Sequence, residues 1–228
     1  MKYHLITGGC GFVGRNFVKR LYSTTQDILL VIDDLSVGTH PTQWLDPSIA
    51  RHKEGNVEYF GNDKRIIFIN EDIRSILNGL VEREDYLSEH FALEIDHFTD
   101  VFHFAAIVGG RATIDGDPMK VALDLAIDAL FFRWICLHKP SRVLYPSSSA
   151  AYPVDLQTES DAIALSESDI DFKKMGQPDM TYGWTKLTGE YLASIAASHY
   201  GVSVTCIRPF SGYGLSLIHI SEPTRRRG

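Results

Sequence analysis

The chain has 228 residues, of which 44% are hydrophobic and 22% are charged, and its formal net charge is −7. That length suits one domain, or one domain with an appended lobe, and the composition is ordinary for a globular protein with a hydrophobic core. An acidic chain with neither an apolar run of about 18 residues nor a secretory signal argues against nucleic acid and membranes as partners, and we expect a cytoplasmic protein.

Short apolar runs alternate with helical segments along the chain, which predicts an α/β fold with a doubly wound parallel sheet and helices on both faces. The predicted strands, in chain order, are residues 3–7, 28–32, 65–69, 100–106, 142–148 and 202–207. Helices are predicted over residues 12–22, 119–139 and 182–200, and Gly201 ends the last of them. Two polar inserts, residues 36–64 and 153–181, are predicted to be irregular.

A glycine-rich turn, "TGGCGFVG" (7–14), joins the first strand to the first helix. The spacing of Gly8, Gly11 and Gly14 leaves room for a pyrophosphate, which would lie at the helix N-terminus. Asp33 ends the second strand, 19 residues after Gly14, where a carboxylate can hold the ribose hydroxyls of an adenosine. Because this carboxylate and Asp34 repel a 2′-phosphate, the pattern predicts NAD rather than NADP. A purely structural turn followed by an acidic strand end is the alternative.

The stretch "YGWTK" places Tyr182 and Lys186 four residues apart, one turn along a helix. A phenol with its ordinary pKa of about 10 is a poor base at neutral pH, but a nearby ammonium favours the phenolate and makes it a usable acid/base for an alcohol. The serines 147–149 end the fifth strand and Tyr182 opens the next helix. Ligands of doubly wound sheets bind beyond the carboxyl ends of the strands, so the serines and the phenol are predicted to meet over a nicotinamide. A solvated turn is the alternative for the serines.

Together these stretches resemble the extended short-chain dehydrogenases/reductases, specifically the NAD-dependent nucleotide-sugar epimerase/dehydratase family of the UDP-glucose 4-epimerase type. The matching stretches lie in family order within residues 1–214 and are "TGGCGFVG", "VIDDLSVG", "EDIR", "HFAA", "SSSAAYP", "YGWTK" and "RPFSGYG". The resemblance implies a Rossmann-type fold, NAD as cofactor, a nucleotide-sugar substrate and a homodimer. Helix 119–139 and the helix of Tyr182 would form the dimer interface. Simple burial of helix 119–139 against the sheet is the alternative.

The resemblance also implies roles for individual residues. Ser148 would be the catalytic hydroxyl, with Ser149 as an alternate, and would act with Tyr182 and Lys186. Asp72 and Ile73 would flank the adenine, and Phe210 would lie near the nicotinamide. The residues expected to contact the cofactor are Gly8, Gly11, Phe12, Val13, Gly14, Asp33, Asp34, Asp72, Ile73, Ala105, Ala106, Tyr182, Lys186 and Pro209.

Departures from the family pattern narrow the expected activity. Sugar 4,6-dehydratases carry Asp-Glu directly after the catalytic hydroxyl, whereas this chain has Ser149 and Ala150. Double epimerases carry a cysteine at the position of Ala150. What is left is 4-epimerisation through a transient 4-keto sugar, with Tyr182 as acid/base. Alternatives are a reductase, decarboxylase or dehydratase on the same scaffold, or a non-catalytic NAD-sensing module. The family's asparagines are replaced around residues 124–128 and at Ser211.

Two remaining features carry smaller expectations. Cys10, Cys136 and Cys206 are odd in number and widely spaced, which predicts reduced thiols. The nine histidines show no paired metal-ligand spacing, so no metal site is expected.

The last residues, 215–228, differ in character from everything before them. "LSLIHISEPTR" resembles the translation of a transposase adapter used in sequencing libraries, so we expect this tail to be foreign. We expect residues 1–214 to be an NAD-binding domain in which 153–181 contributes to the substrate side. The C-terminal substrate lobe would then be largely missing, and the chain by itself inactive. A genuine basic tail is the alternative.

Overall fold

A mixed sheet forms the centre of the computed structural model, which describes residues 1–107, 114, 116–157 and 164–210. Its strands are β1 (Tyr3–Thr7), β2 (Ile28–Ile32), β3 (Arg51–Glu54), β4 (Val57–Phe60), β5 (Ile66–Ile69), β6 (Asp100–His103), β7 (Arg142–Pro146) and β8 (Val204–Ile207). They lie in the order β3-β4-β5-β2-β1-β6-β7-β8. The neighbours from β5 to β8 are all parallel, and this order is that of a doubly wound Rossmann sheet. The predicted fold is confirmed.

An antiparallel hairpin, β3–β4, extends the sheet beyond β5. The prediction that residues 36–64 are irregular is therefore wrong for residues 51–60. Gly55 has a positive φ of +59° and forms with Asn56 the two-residue connection that tight hairpins favour. Arg51 lies opposite Phe60 in the ladder, and its side chain reaches diagonally across the strands to the Glu58 carboxylate at 2.9 Å.

The helices of the described residues are α1 (Phe12–Thr24), α2 (Ile73–Glu82), α3 (Tyr86–Phe91), α4 (Pro118–Val121), α5 (Asp124–His138) and α6 (Met180–Tyr200). The predicted single helix over 119–139 is wrong, because a turn at 122–123 separates α4 from α5. Asp117 begins α4 by accepting a hydrogen bond from the Lys120 amide. The break leaves residues 119–121 in α4 and makes Asp124 the first residue of α5.

Two apolar clusters lie on the two faces of the sheet. Alternate residues of β2 point to opposite clusters, with Leu29 and Val31 on the side of α1 and Leu30 and Ile32 on the side of α2, α5 and α6. This alternation is what a strand buried on both faces requires. Within the described ranges no helix is long and apolar enough to cross a membrane.

Helix α5 is asymmetric in its burial. Phe131, Trp134 and Ile135 are fully buried against the sheet, as the burial alternative expected. Leu125 and Leu137 on the same helix remain 40% and 45% exposed. The helix therefore packs on the sheet and still presents apolar side chains at the surface.

Candidate active site

The glycine-rich turn packs tightly against its surroundings. A Cβ atom on Gly8, whose φ is +65°, would lie 2.5 Å from the Ala105 nitrogen, and one on Gly14 would lie 2.4 Å from the Gly8 oxygen. Gly11 is the N-cap residue of α1 and offers no side-chain cap. The first backbone N–H groups of α1, at Phe12 and Val13, therefore face outward from the turn toward an anion that approaches along the helix axis.

Asp33 lies beside this turn at the carboxyl end of β2, as predicted. Its Oδ2 accepts a hydrogen bond from the Cys10 amide at 2.8 Å and its Oδ1 accepts one from the Leu35 amide at 2.9 Å. The residue is 8% exposed, and burial raises the pKa of its carboxyl although these hydrogen bonds oppose the rise. Asp34 is exposed, and its carboxylate accepts hydrogen bonds from Ser36.

The other predicted cofactor residues follow the carboxyl ends of three more strands. Asp72, after β5, begins α2 and pairs with Arg74, and Ile73 is buried. Ala105 follows β6 and its amide donates to Thr7 Oγ1 at 3.2 Å; Ala106 follows it. Pro209 follows β8, and its carbonyl accepts from the Ser149 amide at 3.2 Å. The parallel strands thus bring all of these segments to one edge of the sheet.

The serine cluster lies against the start of α6. Ser148 accepts a hydrogen bond from the Ala150 amide at 3.2 Å and so begins a short 3-10 helix, residues 149–151. The Ala150 carbonyl accepts from the Asp179 amide at 2.9 Å. A Cβ on Gly183 would approach the same oxygen to 2.3 Å. Because Tyr182 precedes Gly183, the structure holds the segments of Ser148 and Tyr182 in contact.

Lys186 lies one turn further along α6 and points inward. Its ammonium nitrogen is 5.8 Å from the centroid of the Tyr182 ring, and the residue is 4% exposed. The two side chains are therefore neighbours on one helix face, as their spacing predicted. Ser147 is 3% exposed, whereas Ser148 and Ser149 are half-buried.

Two carboxylates on α5 lie behind this face, and the sequence reasoning gave them no role. Asp124 Oδ2 is 3.7 Å from the Lys186 nitrogen, an ion-pair distance longer than a hydrogen bond. Asp124 Oδ1 accepts from the Ile107 amide at 2.5 Å. Burial raises the pKa of Asp124 to about 6, and the Lys186 ammonium opposes that rise.

Asp128 is the second buried carboxylate. It accepts a hydrogen bond from the Tyr145 hydroxyl at 2.6 Å and lies 3.5 Å from His103 Nε2. The other His103 nitrogen meets Thr7 Oγ1 at 2.8 Å, and burial lowers the pKa of His103. This network joins α5 to β1, β6 and β7 directly beneath the site. Two aspartates four residues apart in a mostly apolar helix share one face, and that spacing is the signal that could have found them.

The described part of the second insert is held in place by Arg208, just after β8. The Arg208 guanidinium pairs with Glu190 of α6 at 2.7 Å. It also donates to the Tyr152 hydroxyl at 3.2 Å and to the Glu167 carbonyl at 3.0 Å. One half-buried cation thus ties the insert to α6 beside the site. Among the described residues, no group of three or more His, Cys, Asp or Glu side chains could hold a metal ion.

We expect Tyr145→Phe to lower the free energy of unfolding by about 1–3 kcal/mol, because Asp128 would stay buried without its hydroxyl donor. Chemical denaturation would measure the change. Tyr191→Phe is the matched control, since the Tyr191 residue is 49% exposed, and it should cost less than about 0.5 kcal/mol. Equal losses for the two variants would contradict a role for this hydrogen bond.

Residues 4–226 match the family described as "NAD dependent epimerase/dehydratase family". The chain is 27% identical over 212 residues to UDP-glucuronate 4-epimerase 4 of Arabidopsis thaliana, which covers 92% of this chain and 41% of that protein. It is 26% identical over 213 residues to the uncharacterized UDP-glucose epimerase YtcB of Bacillus subtilis (strain 168), covering 92% and 56%. The chain spans about half the length of these curated relatives.

Solved structures share the fold. The UDP-glucuronic acid 4-epimerase from Bacillus cereus, solved with UDP-glucuronic acid and NAD, superposes with a TM-score of 0.64 at 22% identity, over 93% of this chain and 57% of that one. The dTDP-glucose 4,6-dehydratase DesIV from Streptomyces venezuelae, solved with NAD and TYD, gives 0.67 at 20% identity over the same shares. An epimerase and a dehydratase thus fit the same scaffold about equally well.

Proposed function

The chain belongs to the NAD dependent epimerase/dehydratase family, and from that premise we propose that the whole protein is a nucleotide-sugar 4-epimerase. The observation that carries the proposal is the contact between the Ser148 segment and the start of α6, with Lys186 buried one turn beyond Tyr182. These groups lie at the sheet edge where the carboxyl ends of the parallel strands meet, which is where doubly wound folds bind ligands.

The residues of the glycine-rich turn fit a dinucleotide. A Cβ atom on Gly8 or Gly14 would collide with backbone atoms, so these two positions of the turn require glycine. The start of α1 lies in the same turn and has no side-chain cap. Phe12 and Val13 would offer backbone N–H groups to the pyrophosphate. Asp33 would offer its carboxylate to the adenosine ribose. The remaining contacts to the cofactor would come from Asp72, Ala105 and Pro209. When bound, NAD supplies reversible acceptance of a hydride from a carbinol carbon.

The proton chemistry belongs to the side chains. Tyr182, as phenolate, would take the proton of the sugar 4-hydroxyl and later return it to the same oxygen. Lys186 would favour the phenolate by its charge. The Ser148 hydroxyl would hydrogen-bond the reacting oxygen and hold it near the phenol. Turning the transient 4-keto sugar between the two halves of the reaction would invert carbon 4.

The positions after Ser148 favour epimerisation over water elimination. Ser149 and Ala150 are the first two residues of the short 3-10 helix and bring no carboxyl group there. A dehydratase needs an acid at this point to protonate the departing hydroxyl. The reductase and decarboxylase alternatives need only Tyr182, Lys186 and Ser148, and they remain the nearest rivals.

A nucleotide-sugar panel tests the proposal. The chain would be extended with the C-terminal half of an epimerase relative, and products would be separated by mass spectrometry and NMR. We expect a 4-epimer of one substrate. A dehydrated 4-keto-6-deoxy product would instead identify a dehydratase, and tight NAD binding with no product from any sugar would favour the NAD-sensing module.

A homodimer is part of the same proposal. Large apolar side chains of α5 and α6 lie at the surface, with Leu125 40%, Trp184 44% and Tyr191 49% exposed. Exposed apolar area on adjacent helices supports an isologous contact between two copies.

We expect NAD to bind more tightly than NADP, because the Asp33 and Asp34 carboxylates repel a 2′-phosphate. Fluorescence titration with both cofactors would measure the two dissociation constants, and Asp33→Ala should narrow their ratio by about tenfold. Since Asp33 also accepts from the Cys10 and Leu35 amides, Asp34→Asn is the companion variant that changes charge without loosening the turn. Tighter binding of NADP by the unaltered chain would refute the expectation.

A further inference from the structure

The Lys186 ammonium lies near two tyrosine rings and near one carboxylate. On one side, its nitrogen lies 5.8 Å from the Tyr182 ring and 5.6 Å from the Tyr145 ring. On the other, it lies 3.7 Å from Asp124 Oδ2. Lys186 is 4% and Asp124 is 1% exposed, so water screens this ion pair little.

The Asp124 carboxylate is fixed in this position. Its Oδ1 accepts from the Ile107 amide at 2.5 Å, which leaves Oδ2 turned toward Lys186. Within the described residues, Oδ2 is buried and has no hydrogen-bond partner, so its one close polar contact there is the ion pair. The carboxylate therefore links the loop after β6, which is expected to contact the cofactor, to the Lys186 ammonium beside the Tyr182 phenol.

The charges near Lys186 give this contact a chemical consequence. An ammonium beside a phenol stabilises the phenolate, whereas an anion beside the ammonium cancels part of that field and also repels the phenolate directly. Asp128, the other nearby anion, is occupied by the Tyr145 hydroxyl and lies next to His103, whose pKa is lowered by burial. Asp124 is thus the carboxylate in direct ion-pair contact with Lys186.

We propose that Asp124 is a positioning residue that holds Lys186 and attenuates the effect of its ammonium on Tyr182, so that the phenol ionises at a higher pH than Lys186 alone would set. The proposal rests on the proposed function only for the role of Tyr182. Burial raises the pKa of Asp124 to about 6. Its carboxylate is therefore ionised throughout the pH range in which a tyrosine titrates, and it attenuates the effect of Lys186 over that whole range.

Ultraviolet titration of the chain itself tests the proposal. The tyrosinate absorbance of a protein minus that of its Tyr182→Phe counterpart reports the ionisation of Tyr182 among the ten tyrosines. We expect Asp124→Asn, which keeps the shape and removes the charge, to lower the Tyr182 midpoint by about one pH unit. Asp85→Asn removes the same charge from an exposed site at the start of α3 and should leave the midpoint unchanged. Asp124→Glu, which restores a carboxylate, should return it toward the parent value.

An unchanged or higher midpoint in folded Asp124→Asn would overturn the proposal. Thermal unfolding and near-ultraviolet circular dichroism establish that the variant is folded. Should it not fold, Asp124→Ser supplies a smaller neutral side chain with the same expected direction. The titration needs neither substrate nor turnover, so failure to epimerise any sugar would count against the proposed function alone, and a missing shift in an active enzyme would count against Asp124 alone.

Discussion

Replacing Tyr182 with phenylalanine should reduce turnover by about 10²–10⁴-fold, the usual contribution of a general acid/base, while NAD stays bound. The change removes one hydroxyl and keeps the ring that packs at the start of α6. The glycine-rich turn and Asp33 directly follow β1 and β2 and lose no contact. Initial rates on the chain extended with a relative's C-terminal half would give the loss, and fluorescence titration would give the NAD affinity.

Tyr191→Phe is the control for this experiment. Tyr191 lies on the same helix and is 49% exposed, so its hydroxyl should be dispensable. A loss of less than about tenfold for Tyr182→Phe would show that another group moves the proton. A large loss of NAD affinity would show that the hydroxyl serves binding rather than chemistry.

Gly8→Ala should give the largest loss of stability among the changes considered, about 2–5 kcal/mol, together with loss of NAD binding. Two costs add at this position. The residue has a φ of +65°, and its new methyl group would lie 2.5 Å from the Ala105 nitrogen and 2.6 Å from the Phe104 carbonyl carbon. Backbone atoms of the sheet edge cannot move aside as a flexible side chain would.

Gly55→Ala separates these two costs. Gly55 has nearly the same φ, +59°, but nothing lies within 4 Å of its added Cβ. It should therefore cost only about 1–2 kcal/mol, the conformational part alone. Urea denaturation of both variants would measure the difference, which reports the close approach of the turn to the loop after β6. Equal losses of stability for the two variants would mean that the turn does not approach the loop after β6 this closely in solution.

The sheet and the turn could be predicted because their signals are local. Strands β2 and β5 are unbroken apolar runs, and β1 leads directly into the glycine-rich turn. Tyr182 and Lys186 could be paired because a four-residue spacing on a helix fixes their proximity. The site at the carboxyl edge then follows from the parallel order of the strands.

The features that sequence reasoning missed depend on tertiary placement. Strand β3 reads Arg-His-Lys-Glu, is exposed throughout, and is a strand only because β4 pairs with it. The break between α4 and α5 occurs at Ala122 and Leu123, two residues that elsewhere favour helices. The contact between Asp124 and Lys186 depends on how α5 packs on α6, and no local pattern of either helix contains that information.

The position of β1 in the middle of the sheet has a consequence for folding during synthesis. β1 precedes every other strand along the chain, and β2 and β5 can join it on one side as soon as residue 69 has emerged. Its other partner is β6, in a register that pairs Thr7 with His103. At about 5–20 residues per second, translation from residue 69 to residue 103 takes about 2–7 s. For that interval the free edge of β1 on the nascent chain is open to pairing with another strand, so the ribosome-bound protein has a defined period of aggregation risk and of need for a chaperone.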